Sequence, residues 1–168
     1  RNGIALSPAV PKQIESMIEC VAAMAGSDGA APIIGDSDDA RGMPFLELVG
    51  WDFKDTLSTG AVLFKRERWK RSAGDLAEVS VWLIGAEAIA QYKVIPSTED
   101  HKHRSTFPAG GYYFSENIDA TGNAELIFDV GPLGLWPNAA HGHADALSTL
   151  MRLNGKLLLT DPGTGAYF

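Results

Sequence analysis

The chain has 168 residues, 45% of them hydrophobic, with a formal net charge of -7 and a pI near 5.0. That is enough apolar material for a buried core rather than a disordered segment, while the acidic balance argues against a general nucleic-acid surface and leaves any anionic ligand dependent on a local basic groove. The single cysteine, Cys20, excludes an internal disulfide, and no apolar run reaches the roughly 18 to 20 residues of a membrane span.

Between Ser7 and Ala25, Ile14, Met17, Ile18, Val21, Ala22 and Ala25 recur at helical spacing, which predicts one amphipathic helix with Cys20 in its core. Residues 27–32 form a small-residue connection, after which Ile33-Ile34-Gly35 leads into the acids Asp36, Asp38 and Asp39. With Glu47 two of these acids fit an EF-hand-like count, but Ala40 stands where a ligand belongs and Arg41 where the turn glycine belongs. The acids are therefore expected to cap the next helix, with Arg41 pairing them. Short helices are expected at residues 44–49 and 55–64. The basic run Lys65-Arg66-Glu67-Arg68-Trp69-Lys70-Arg71 reads as a solvated face, and one helix is expected from Asp75 to near Tyr92.

Residues 97–105 are polar and aperiodic, a linker in which His101 and His103 are read as exposed. Beyond it the pattern changes to short β-rich runs at residues 112–115, 126–130, 146–153 and 156–160, with Asn154-Gly155 a strong two-residue hairpin turn. Helices followed by antiparallel strands predict an α+β chain of two layers or domains.

The densest chemistry lies at residues 131–164. Gly131-Pro132-Leu133-Gly134 precedes His141-Gly142-His143-Ala144-Asp145-Ala146-Leu147-Ser148, and Asp161-Pro162-Gly163-Thr164 closes the following hairpin. Imidazole is both a near-neutral acid or base and a zinc ligand, and Asp145 and Asp161 add carboxylates that suit the same metal. In ideal register the hairpin pairs Ser148 with Asp161, which leaves His143 about 16 Å further along the strand, too far to share one ion. Either the run before Ser148 leaves the sheet and folds back, or the register contains a bulge.

These segments, in this order, resemble the heparinase II/III-like polysaccharide lyases, and Ile34-Gly35-Asp36-Ser37-Asp38-Asp39-Ala40-Arg41 and Phe107-Pro108-Ala109-Gly110-Gly111-Tyr112-Tyr113 look like two further segments of that family. Gly165 departs from the pattern, which commonly has a tyrosine there. The resemblance implies the last helices of an incomplete α/α toroid at residues 1–96, a linker at 97–106 and the start of an antiparallel β-sandwich at 107–168. It also implies a longer enzyme, with Arg1 and Tyr167-Phe168 standing where missing partners would continue, and a periplasmic or secreted location although no signal peptide is visible.

By the same resemblance the reaction is β-elimination on a uronic-acid polysaccharide. His141 is the active-site residue at the uronate, His143 and Asp161 are zinc ligands with a further histidine downstream, and the proton-transferring Tyr and Asn or His lie upstream. The expected partner is an acidic polysaccharide, with no nucleic acid and no membrane span. Two rivals compete. One is a non-catalytic carbohydrate-binding or structural β module with a structural zinc and with Trp136 and the tyrosines stacking on sugars. The other is a zinc hydrolase, disfavoured because no candidate base is placed beside an open metal position.

Overall fold

The computed structural model describes residues 5–26, 29–36, 52–97, 105–119, 122–142 and 145–163. Among these described residues it is α+β, with five helices and one antiparallel sheet of five strands. Two compact units divide it: residues 1–22 with 53–103, and residues 23–52 with 104–168. Segment 23–52 thus groups with the strands although it precedes most of the helices. None of the described helices is long and apolar enough to cross a membrane.

The helical unit contains α1 (Ala9–Met24, which runs two residues past it), α2 (Lys54–Phe64), α3 (Glu67–Ala73), α4 (Glu78–Ile84) and α5 (Glu87–Val94). The predicted α1 and α2 match to within a residue or two. The helix expected at 44–49 and the Asp38, Asp39, Arg41 and Glu47 cluster lie outside the described residues.

Two expectations are corrected. The basic run is a docked helix rather than a solvated face: Trp69 is fully buried and its indole N–H donates to Glu19 at 3.2 Å, while Arg68 pairs with Glu19 and Arg66 with Glu15. Sequence pattern alone misses this because the partner acids sit about fifty positions upstream. The single helix from Asp75 is broken in two at Gly85, whose φ of 113° no helix accommodates.

That break also changes which face is buried. Ser80, Ala88 and Tyr92 go inward, whereas Trp82, Leu83, Ile89 and Val94 are exposed. A hydroxyl cluster makes the burial of Ser80 tolerable, since its Oγ lies 3.0 Å from Ser58 Oγ and 2.8 Å from Thr59 Oγ1. Tyr92 closes the unit: its hydroxyl donates to Gly74 O at 2.7 Å, and Lys70 Nζ donates to its backbone oxygen at 2.9 Å. Burial, reinforced by Asp75, pushes the Tyr92 hydroxyl up to about 12.

In the second unit the strands β1 (Thr106–Phe107), β2 (Tyr112–Asp119), β3 (Gly122–Asp129), β4 (Thr149–Leu153) and β5 (Lys156–Leu159) pair in sequence order. Asn154 and Gly155 both have positive φ, 51° and 75°, as the expected primed hairpin turn requires. Phe107, Ile127 and Leu150 are its buried hydrophobic side chains, and Phe107 meets Phe114 edge to face at 5.5 Å. At the far edge, Leu157, Leu158 and Leu159 of β5 are exposed, at 49%, 60% and 50%, which makes β5 an apolar edge strand.

Residues 1–168 expressed alone are therefore expected to self-associate through the exposed strand or helix faces. Sedimentation velocity should show species larger than the monomer, reduced by Leu158→Lys or Trp82→Glu; a clean monomer contradicts this. A second test uses Tyr92. Its raised folded value contributes stability that is fully present below the unfolded value of 10.0 and is lost as pH rises toward 12. Tyr92→Phe should cost about 1 kcal/mol at neutral pH through the stranded Gly74 carbonyl. In urea unfolding, the gap between wild type and variant should shrink above pH 10; a gap constant to pH 11.5 contradicts it.

Candidate functional site

The site is built on residues 130–148, the long connection between β3 and β4. A connection of this length with no helix or strand among its described residues is unusual unless it does work. It is held compactly by backbone contacts. Leu135 and Ala140 form an isolated bridge, with N–H to O distances of 2.7 and 3.2 Å, and Gly142 N–H reaches Ala139 O at 3.2 Å. Gly142 lies against the backbone of Gly134, so the Gly-Pro-Leu-Gly segment and the His-Gly-His run meet directly.

The other motif segments converge on the same loop. Gly111 lies so close to Gly131 that a Cβ on it would stand 2.2 Å from Gly131 Cα, and its carbonyl accepts from Val130 N–H at 2.9 Å. Only glycine fits there. Asp36 N–H donates to His141 O at 3.0 Å, and Gly35, at φ 60°, lies where a Cβ would meet His141 O at 3.0 Å and Asp145 Oδ2 at 3.4 Å. Ile33, two residues earlier, packs against Gly163. Segment 33–36 thus has one end on the Asp-Pro-Gly turn and the other on the His-Gly-His run.

What holds that segment to the sheet is Arg152 of β4. Its buried guanidinium faces Glu125, its register partner on β3, at 3.4 Å and donates to Met24 O at 2.9 Å and Ala30 O at 3.5 Å. Sequence reading passed over Arg152; the available signal was one charge inside an apolar strand.

The expected site residues fall as follows. His141 is exposed, with side-chain relative accessibility 74%, and its Nδ1 is 3.8 Å from the mostly buried Asp36 Oδ2. Its φ is 61°, and Ala139 and Leu147 share that left-handed conformation at 55° and 62°. Three non-glycine residues held there in one loop mark stored strain of the kind that clusters at functional sites. Asp161 is partly buried, and its Oδ1 accepts from Gly163 N–H at 2.8 Å, fixing the carboxylate in a tight turn. His143 lies outside the described residues, as do His101 and His103.

Asp145 is buried, and its Oδ1 has no hydrogen-bond partner among the described residues, a costly state for a carboxylate oxygen. Among those residues, no group of three histidines, cysteines or acids is gathered closely enough to hold a metal.

Both alternatives for the hairpin register occur. A bulge between Met151 and Arg152 advances β5 by one residue, so that Met151 pairs with Leu159. The run before β4 also leaves the sheet, turning at Asp145, whose carbonyl accepts from Ser148 N–H at 2.9 Å. The straight-strand spacing of about 16 Å therefore does not apply to this loop.

Residues 99–168 match the family model described as heparinase II/III-like, C-terminal. Over these residues the chain is similar to the heparinase II/III-like family. The match takes in the five described strands and the 130–148 loop of the sheet unit. No curated protein shows significant similarity to the chain.

Two substitutions test how the heparinase II/III-like site is held. Gly35→Ala adds a left-handed backbone cost of about 1 to 2 kcal/mol and pushes on His141 O. The Asp36 amide should then exchange faster with solvent; unchanged exchange contradicts the docking. Arg152→Ala leaves Glu125 without its partner and should cost about 2 to 3 kcal/mol in denaturant unfolding. Loss below about 0.5 kcal/mol would show that the guanidinium does not anchor segment 24–36.

Proposed function

We propose that this chain is part of a polysaccharide lyase that cleaves a uronic-acid-containing polysaccharide, heparan sulfate-like or alginate-like, by β-elimination. The observation that carries the reading is the convergence of Gly35-Asp36, Gly131 to Gly134 and the His-Gly-His run around one exposed histidine, His141, in a family of lyases. In this reading residues 1–96 are the last helices of an α/α toroid and residues 107–168 open a β-sandwich. The enzyme would act in the periplasm or outside the cell.

The chemistry asks for a group at the uronate. Removal of the proton beside the carboxylate builds enolate-like charge, and an imidazole donating to that carboxylate stabilises it. His141 is assigned this role because its ring is exposed while its backbone is fixed by Asp36. The base and the acid that complete the elimination are assigned to a tyrosine and an asparagine or histidine outside these 168 residues. Zinc is assigned to His143 and Asp161 with a further histidine, donor types that suit that ion. Its contribution when bound would be to brace the loop, with no step of the reaction passing through it.

A second reading, a non-catalytic carbohydrate-binding module, is favoured by one observation: Trp136 is 90% exposed at the tip of the bridged turn, an indole face open to stack on a sugar. Absorbance of an unsaturated uronate, measured with the full-length protein on several uronans, separates the two. Product formation is expected; binding without product favours the module.

With activity in hand, His141→Ala should lower kcat by about 10²-fold or more while zinc content and Tm stay nearly constant. Tm is the control for the left-handed backbone at this position, which alanine tolerates less well than histidine. His143→Ala and Asp161→Ala should instead lower zinc content and stability, with activity falling as a consequence. Equal zinc loss in the His141 and His143 variants would make the two histidines a ligand pair and remove His141 from the chemistry.

A further inference from the structure

Asp36 is the described acid of its cluster, and its position is informative. Its N–H is bonded to the carbonyl of His141 at 3.0 Å, and its Oδ2 faces Nδ1 of the same residue at 3.8 Å. Both contacts connect positions more than a hundred residues apart in the chain, and they are adjacent to Gly35, where a Cβ would press on His141 O at 3.0 Å in a left-handed backbone.

The two ends of this contact differ in freedom. The Asp36 side chain is 15% exposed, whereas that of His141 is 74% exposed. A solvent-facing imidazole with no neighbour samples several rotamers and both neutral tautomers, and a histidine acting on substrate needs one of each. A fixed carboxylate beside one ring nitrogen is the usual means of selecting them.

We propose that Asp36 is the positioning residue of His141. Its carboxylate accepts from the Nδ1–H and sets the ring so that Nε2 is the nitrogen turned toward the uronate carboxylate of the substrate. Nε2 donates to that carboxylate when the ring carries both protons. At 3.8 Å the contact has ion-pair reach and exceeds hydrogen-bond length, and such contacts shorten when substrate fills the site. The assignment rests on the reading of His141 as the residue that meets the substrate.

The backbone bond from Asp36 to His141 survives any substitution at position 36, so side-chain variants isolate the carboxylate. In the full-length enzyme, Asp36→Leu keeps the shape and removes the acceptor, and it should lower kcat by about 10- to 100-fold with KM within about threefold of wild type. Asp36→Asn keeps an acceptor oxygen and should recover most of that loss. In the His141→Ala background Asp36→Leu should cost nothing further, because a residue that acts through another adds no loss once the other is gone.

Additive losses, a change confined to KM, or failure of asparagine to restore kcat would each overturn the proposal. A readout on the unmutated enzyme guards against misfolding of the leucine variant: ring 15N shifts should show His141 protonated on Nδ1, and a neutral ring protonated on Nε2 overturns it. If His141→Ala cleaves like wild type, the underlying reading of His141 fails and the positioning role falls with it. If His141→Ala is impaired and Asp36→Leu is not, only the positioning role fails.

Discussion

The sheet unit depends on a buried positive charge. Arg152 sits on an interior strand with its guanidinium removed from water, a placement that costs several kcal/mol unless nearly every donor finds an acceptor. The sheet supplies one acceptor, Glu125, directly across the register; the rest come from the carbonyls of Met24 and Ala30, which belong to a segment far upstream in the chain. Satisfying the arginine therefore fixes that segment on the sheet. Six residues beyond Ala30 the same segment delivers Asp36 to His141. Buried charge here acts through geometry, as a specification of which carbonyls must be present.

Close backbone packing then does what side chains do elsewhere. At Gly111 with Gly131, at Gly134 with Gly142 and at Gly35 with His141, main chain lies directly on main chain with no room for a Cβ. The loop between β3 and β4 thereby gains rigidity without a hydrophobic core of its own, and its outward face stays free for chemistry. Left-handed conformations at Ala139, His141 and Leu147 add a cost that only such constraint can sustain. The histidine is strained in backbone and open in side chain.

The helical unit applies the same logic with different parts. Glu19 is nearly buried in α1 and is satisfied by the Arg68 guanidinium and the Trp69 indole, so that the aromatic at the middle of a basic run becomes the centre of the core. The small hydroxyls of Ser58, Thr59 and Ser80 satisfy one another between α2 and α4. Polar burial, paired internally, sets which faces pack, and the more hydrophobic stripe carrying Trp82, Leu83 and Ile89 is left outward.

Sequence by itself determined the local items: the helical period of α1 and α2, the Asn154-Gly155 turn, the change from helix to strand after residue 97, and the ordered motifs that make residues 99–168 similar to the heparinase II/III-like family. Each of these is written within a window of a few residues, through period, turn chemistry or spacing. The break at Gly85, the bulge at Met151 and Arg152, the docking of the basic run and the pairing of Asp36 with His141 were decided only in three dimensions. In each case the deciding partner lies far away in the chain or in the competition between two faces of one element. Local pattern specifies which conformations are cheap; which polar group must meet which, once both are buried, is settled by tertiary packing because the cost of an unpaired buried charge exceeds any local preference.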